Sequence, residues 1–417
     1  MYLMAMSVTQ KMLAAKCGLG SVESGDLIFV NIDKVMANDI TAPVAIAALD
    51  KVGLRIKDAS KVILVLDHFV PNKDIKSAEQ CACVRRFAND NGVKNFFDVG
   101  RMGIEHALLP ERGLISAGDV IIGGDSHTCT YGALHAFATG VGSTDAAYAM
   151  ANLKTWFKVP SAIGVKLKGS LGRYVTAKDV VLHLIGILGV DGALYKSLEF
   201  FGDVGSVGMD GRLTIANMAV EAGAKNAMFP LDKTCREYLL SHGAKADVSF
   251  NADDDCYEKI IEIDLDELKP TVAFPSLPSN VRTEWDCIKV DQVVIGSCTN
   301  GRLDDLRAAA EILKGNIVAD GVRCIIIPAT QKIYADALRE GLIEIFVNSG
   351  AVVSTSTCGP CLGGHMGILA KGETCVSTTN RNFVGRMGHA ESKVYLASPY
   401  VAAASAIKGE LTTPDKV

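Results

Sequence analysis

Short apolar runs recur along the chain, each followed by a polar or glycine-bearing turn and then by a helical-looking segment. Strands are predicted at Lys61–Leu66, Asp119–Gly123, Ser161–Lys166, Gln292–Gly296, Cys324–Ile327, Ala351–Ser354 and Thr374–Ser377. Helices are predicted at Lys76–Asn89, Asp145–Lys154, Leu303–Lys314 and Gln331–Glu340. Strand, loop and helix in repeated succession imply α/β layers around largely parallel sheets.

The pattern changes in the middle of the chain. Residues 161–270 carry the stretch GDVGSVGMDGR and the acidic loop NADDD at 251–255, and Thr271–Ser279 (TVAFPSLPS) reads as a linker. Boundaries near 160 and 280 therefore give three α/β domains, 1–160, 161–280 and 281–417. The tail after Gly409 is expected to fray. No short tandem repeat is visible, although the first and last thirds share a strand–turn–helix style.

Composition narrows the class. With 49% hydrophobic and 21% charged residues, the 417-residue chain is neither a disordered tail, a collagen-like fibre nor a porin. Lys+Arg at 42 against Asp+Glu at 47 gives a net charge of −5, which disfavours a general nucleic-acid binder and leaves small anionic substrates open. The first 20 residues lack a basic leader and a clean cleavage pattern. No run reaches the ~18 apolar residues of a membrane span; the longest candidate, Val180–Leu194, is broken by His183, Asp191 and three glycines. A soluble cytoplasmic protein is expected, so the 12 cysteines are read as reduced thiols.

Three of those cysteines stand out. VVIGSCTNGRLDDL (293–306) puts Cys298 between a strand and a helix, and AVVSTSTCGPCLGG (351–364) puts Cys358 and Cys361 in a C-x-x-C after another strand. Ligands of open α/β sheets bind beyond the carboxyl ends of strands, and a helix start favours thiolate. Gly359, Gly363 and Gly364 are read as leaving room for something bulky, and three such thiolates can hold an iron–sulfur cluster. Zinc is the competing reading, with His365 as a fourth ligand, although a second C-x-x-C is absent. Cys81 and Cys83, two apart on a helix, read as packing or surface residues.

Histidine–carboxylate pairs occupy the same kind of position. LVLDHF (64–69) ends a strand on Asp67 and His68, and IIGGDSHT (121–128) ends another on Asp125, Ser126 and His127. A carboxylate that orients a histidine tunes it for proton transfer near neutral pH. A lone histidine of this kind is more often structural; two after strands shift the balance toward a site. His106 in GIEHALLPE matters only in that company, and His183 and His242 are left structural. In TTNRNFVGR (378–386), Arg381 and Arg386 flank a glycine turn, and their forks suit carboxylates. Alone, that segment reads as a solvated surface turn.

Together, GSCTNGR (296–302), TCGPCLGG (357–364), DSHTCTYGA (125–133) and NRNFVGR (380–386) resemble the aconitase superfamily over nearly the whole chain. DHFVPNKDIKSAEQC (67–81) and GIEHALLPE (103–111) are similar to the large subunits of its two-subunit 3-isopropylmalate dehydratases. That resemblance implies an aconitase-like iron–sulfur fold without the mobile swivel domain, and a hydro-lyase interconverting 2- and 3-isopropylmalate in leucine biosynthesis. Homoaconitase and 2,3-dimethylmalate dehydratase large subunits share the same cysteines and arginines, and an RNA-binding regulator is a remote alternative.

By resemblance, Cys298, Cys358 and Cys361 ligate three irons of one [4Fe–4S] cluster, and the fourth iron takes substrate. His68, oriented by Asp67, protonates the departing hydroxyl; His106 pairs with Asp125 near bound water, and His127 and Glu221 complete the polar wall. Asn217 and Asn380 surround the cluster, while Arg381, Arg386, Ser126 and Asn38 contact a small di- or tricarboxylic acid. A small subunit is expected to supply the swivel domain and a serine base; no nucleic acid or membrane partner is implied. In GALHAFATG (132–140), His135 stands where relatives usually carry glycine, and is expected to point outward as a neutral surface change.

Overall fold

The computed structural model describes residues 5–417. Residues 1–4, the start of the stretch inspected for a leader, lie outside the described residues. No helix among those described is long and apolar enough to cross a membrane.

Three main sheets organise the chain. The first is all parallel, in spatial order Asn95–Phe97, Val62–Val65, Lys34–Asn38, Val120–Gly123 and Phe137–Gly140. The second, also parallel, runs Asn226–Met228, Ser197–Gly202, Ala162–Lys168 and Ile260–Asp264. The third has a parallel body, Lys393–Leu396, Thr374–Ser377, Gln292–Gly296, Arg323–Ile327 and Val352–Val353. Val272–Ala273 and Val281–Arg282 extend it antiparallel. One apolar core joins all three: Met36 and Ile121 from the first sheet, Val165 and Leu198 from the second, Val294 and Leu396 from the third. The expected α/β class and parallel sheets are thus present, and the sheets share one interior.

All seven predicted strands form, Gln292–Gly296 and Thr374–Ser377 with the expected ends and the other five with shifted ones. Ala351–Ser354 shortens to Val352–Val353, and Ser161–Lys166 runs instead from Ala162 to Lys168. The predicted helices appear as Ile75–Asp90, Ser143–Asn152, Leu303–Leu313 and Gln331–Arg339. Ile75–Asp90 starts where the Asp74 carboxylate accepts the Ser77 N–H at 2.7 Å.

Three expectations are corrected. Thr271–Ser279 is not a linker: Val272 and Ala273 are fully buried strand residues, and Pro275 and Pro278 lie in the turn of a hairpin closed by the Phe274 N–H on Asn280 O at 2.7 Å. Apolar residues before the prolines, rather than the prolines, decide the placement of this segment. The tail beyond Gly409 does not fray, because Leu411 is buried, its N–H donates to Ile288 O at 2.8 Å, and its carbonyl accepts Trp285 Nε1–H at 2.9 Å.

His135 does not point outward. It is fully buried with φ 59°, a left-handed conformation that glycine adopts freely and a histidine adopts less readily. Its Nδ1–H donates to Phe229 O at 2.9 Å and its Nε2 accepts the Phe250 N–H at 3.0 Å, so both nitrogens are used by the neutral ring. Burial pushes its pKa below the ordinary histidine value. A depressed folded-state pKa gives stability that is present above pH ~6.5 and lost as pH falls through the folded value. His135→Asn, which tolerates the left-handed backbone, is expected to lose ~1–2 kcal/mol at pH 7.5. The gap from wild type should narrow toward pH 5; parallel thermal-unfolding curves across that range contradict the assignment.

Candidate active site

The carboxyl ends of strands from the first and third sheets face one another across a cavity of about 270 Å³. Lys34–Asn38, Val62–Val65 and Val120–Gly123 lead into Asp39, Asp67–His68 and Asp125; Gln292–Gly296, Val352–Val353 and Thr374–Ser377 lead toward Cys298, Cys358 and Asn380–Arg381. Strand ends across an open α/β sheet are where side chains from distant parts of a sequence meet.

The backbone bends sharply to deliver Cys298. A Cβ on Gly296 would stand 2.1 Å from Ile327 O, and the next residue, Ser297, holds a φ of 146°. Such strained conformations persist only where the surroundings enforce them; here the Ser297 hydroxyl accepts the Thr299 N–H at 3.1 Å. The Cys358 N–H and the Thr357 hydroxyl both donate to Asp67 O, at 2.8 and 2.9 Å, tying the C-x-x-C loop to the histidine strand. The loop glycines serve a different purpose from the one expected. A Cβ on Gly359 would meet His365 at 2.7 Å and one on Gly364 would meet Leu362 at 2.2 Å, so they admit protein atoms rather than a ligand.

The three buried thiols share a cluster with Ile104, Ala107 and Ala329. The neighbouring Cys358 thiol holds Cys298 well below the ordinary thiol range and Cys361 at about 6, while Cys358 itself is raised. Asn380 Nδ2 lies 3.2 Å from Cys298 Sγ and its Oδ1 accepts from Cys361 Sγ at 3.4 Å; Asn217 Nδ2 approaches Cys298 Sγ at 3.5 Å. Arg386 reaches Cys361 Sγ at 3.8 Å and leaves its Nε–H unpartnered. His365 does not join the cysteines: its Nε2–H donates to Pro71 O at 2.9 Å.

Two histidine systems form the opposite wall. His68 Nδ1 lies 2.7 Å from Asp67 Oδ1 and 3.4 Å from Asp39. Burial opposes its charge, but the two carboxylates prevail and raise its pKa well above the ordinary value. His106 Nε2 meets Asp125 at 3.0 Å, and its Nδ1 meets the Tyr131 hydroxyl at 3.1 Å. Burial works against ionisation of Asp125, yet His106 and His127 hold it well below the carboxylate range. His127 Nε2 lies 2.9 Å from Glu221, and despite burial the Asp125 and Glu221 contacts lift it to about 9. Arg381 clamps Glu221 through Nε at 2.8 Å and the Ser126 hydroxyl through Nη2 at 2.9 Å.

Of the predicted residues, Asp67, His68, His106, Asp125, His127, the three cysteines, Asn380, Arg381 and Arg386 line the cavity. Glu221, Ser126 and Asn217 stand behind them through the bonds above. Asn38 is also held back: its Oδ1 accepts the Ile40 and Thr41 N–H groups at 3.1 Å each, and its Nδ2–H donates to Glu105 at 3.1 Å.

Several residues here carried no usable sequence signal. Asp39 accepts the His68 and Phe69 N–H groups at 3.2 and 2.8 Å. Arg302, buried behind Cys298, donates to the Cys298 and His106 carbonyls at 3.2 Å each. Lys178, fully buried, spans Thr378 O and Thr379 O at 2.7 and 2.5 Å, and burial lowers its pKa to about 7. Arg302 closes the GSCTNGR motif but was given no role there, and Lys178 lies in a stretch where no site residue was expected. Asp39 was adjacent to Asn38, but nothing local distinguished it.

A thiol trio, two histidine–carboxylate systems and two arginines meet at opposed strand ends of this α/β protein. The aconitase family (aconitate hydratase) pattern matches residues 10–286 and 279–409, and the chain belongs to that family. It is 62% identical to a 3-isopropylmalate dehydratase large subunit of Clostridium kluyveri and 61% identical to one of Clostridium botulinum, each match covering 99% of this chain and 100% of the relative. A relative of the same description from Acetivibrio thermocellus is 59% identical over the same shares. Among solved structures, Thermococcus kodakaraensis aconitase X matches 90% of each chain with a TM-score of 0.50 at 14% identity, a likeness of fold. Family membership implies a [4Fe–4S] cluster.

Proposed function

We propose that this chain is the large subunit of a hydro-lyase that interconverts 2- and 3-isopropylmalate by dehydration and rehydration, in the cytoplasm and within leucine biosynthesis. What carries the reading is one cavity that unites the three cysteines, the histidine–carboxylate pairs and both arginines, in a chain matching such large subunits end to end. We also read the three sheets as marking three domains, with one boundary near 160 and the other drawn back from 280 to about 270, because Val272–Ala273 pairs within the third sheet.

The residues fit a cluster better than a single ion. Ligand trios within 4.8 Å of one another occur at Asp39–Asp67–His68 and Glu105–His106–Asp125, and the cysteine sulfurs do not form so tight a set. One zinc ~2.3 Å from each sulfur would draw them to about 3.8 Å. A [4Fe–4S] core, larger than one ion, suits three wider-spaced thiolates with amides of Asn217 and Asn380 directed at them. Cys298, Cys358 and Cys361 are its ligands in this reading. When bound, such a cluster supplies a Lewis-acidic iron without a cysteine ligand, able to polarise a carboxylate and a hydroxyl.

The chain's own side chains do the rest. Arg386, with an unpartnered Nε–H, and Arg381, fixed by Glu221 and Ser126, hold substrate carboxylates. His68 enters charged and gives its proton to the departing hydroxyl, with Asp67 and Asp39 holding the imidazolium in place. His106 and His127, both bonded to Asp125, orient the water of the rehydration step. The carbon-bound proton is taken by a serine base on a small subunit carrying the swivel domain, a partner supported by the relatives' printed description.

Anaerobic co-purification with the small subunit, followed by a substrate panel, tests this. Iron and labile sulfide should be present and 3-isopropylmalate should be dehydrated only by the two-subunit assembly. Faster turnover of homoaconitate or 2,3-dimethylmalate defeats the substrate assignment, and zinc without iron defeats the cluster.

A further inference from the structure

Glu105 is a carboxyl group of this wall whose nearest cationic group, His106, is committed to Asp125. Asp67 has His68 at 2.7 Å, Asp125 has His106 at 3.0 Å, and Glu221 has His127 at 2.9 Å and Arg381 at 2.8 Å. The Glu105 side chain, 1% exposed, instead accepts from the uncharged Asn38 amide at 3.1 Å, with His106 Nε2 at 3.6 Å and turned to Asp125. Its other oxygen, Oε2, is buried, lacks any partner and belongs to a residue lining the substrate cavity.

An ionised carboxylate left unpaired in that position would be costly. Burial first, then Asp67 and Asp125, raise the Glu105 pKa well above the ordinary carboxyl value, which favours the neutral acid. Because Oε1 accepts from Asn38, a proton on this carboxyl falls to Oε2, which has no partner within the protein. The same helix start is rigid: the Glu105 N–H donates to Asp67 Oδ2 at 2.8 Å, and the Ile104 N–H to Ala329 O at 2.8 Å.

We infer that Glu105 is a substrate-contacting residue whose Oε2–H donates a hydrogen bond to a carboxylate oxygen of the bound hydroxydicarboxylate. The inference rests on the function proposed above and deepens it. A dianion must enter a cavity already crowded with acidic side chains, and a protonated Glu105 adds a donor there without adding a charge. A hydrogen bond to a charged acceptor is among the stronger ones.

The test uses the reconstituted two-subunit enzyme with Glu105→Leu and Glu105→Gln. E105L is expected to raise KM for 3-isopropylmalate ~10- to 100-fold with the effect falling on KM rather than kcat, and E105Q, which keeps a neutral donor, to recover most of it. A KM for E105L within threefold of wild type overturns the inference. Infrared difference spectra at pH 7 supply a readout independent of turnover and of whether E105L folds. Wild type should show a protonated-carboxyl carbonyl stretch, missing in E105Q, that shifts on adding 3-isopropylmalate; an absent or unshifted band overturns the inference. Wild-type turnover separates the two claims. An enzyme that turns over 3-isopropylmalate without shifting the band refutes Glu105 alone, whereas an inactive wild type whose band shifts with malate keeps Glu105 and refutes the substrate.

Discussion

Replacing His68 by alanine is expected to lower kcat ~10²- to 10⁴-fold while KM changes little, the loss typical of a positioned general acid. The expectation follows from the geometry of its charge. His68 is 5% exposed, and a buried imidazole surrounded by apolar groups would give up its proton. Here Asp67 engages Nδ1 at 2.7 Å and Asp39 stands 3.4 Å away while also accepting the His68 and Phe69 N–H groups. The second nitrogen is left for substrate. Asp39 should act as a positioning residue: Asp39→Asn removes one negative charge, lowers the His68 pKa, and so moves the alkaline limb of kcat to lower pH. Its kcat at the optimum should fall ~10-fold, well short of H68A. An unmoved alkaline limb in D39N would show that Asp39 serves the fold alone.

What made this site readable in the sequence was the coincidence of strand ends with reactive residue types. Cys298, Asp67, His68 and Asp125 each follow an apolar run, and all of them line the cavity. Helix and strand positions were also legible, because their periodicity is local. Long-range pairing was not. The strand Val272–Ala273 looked like linker because its meaning lies in the partner strands, Val281–Arg282 and Lys393–Leu396. His135 looked like a surface change because Phe229 and Phe250, which occupy its two nitrogens, are about a hundred residues away in sequence. Lys178 and Arg302 are buried cations whose acceptors are backbone carbonyls, and a carbonyl leaves no trace in composition. Glu105 was hidden for the opposite reason: what distinguishes it is a partner it lacks.

Alanine at Cys298, Cys358 or Cys361 should remove iron and labile sulfide from the purified chain and cost more than ~10³-fold in turnover, since the Lewis-acid contribution is worth several kcal/mol. Cys324 is the discriminating control. It too is buried, at 2% exposed, and belongs to a strand of the same sheet, but it lies in an apolar core whose burial pushes its thiol up to about 12. Cys324→Ala should keep full iron content and lose only ~1 kcal/mol of stability, the cost of a small packing defect. Asn380→Ala lies between these extremes. Its amide touches both Cys298 and Cys361 and also accepts no other role in the cavity wall than contact with Thr299 at 3.0 Å. Removing it should leave the three thiols in place but weaken iron retention ~10- to 100-fold under chelator challenge. If all three cysteine variants kept their iron, the ligand assignment would be wrong. If C324A lost it as well, iron loss would report unfolding, so thermal melting of each variant decides between the two.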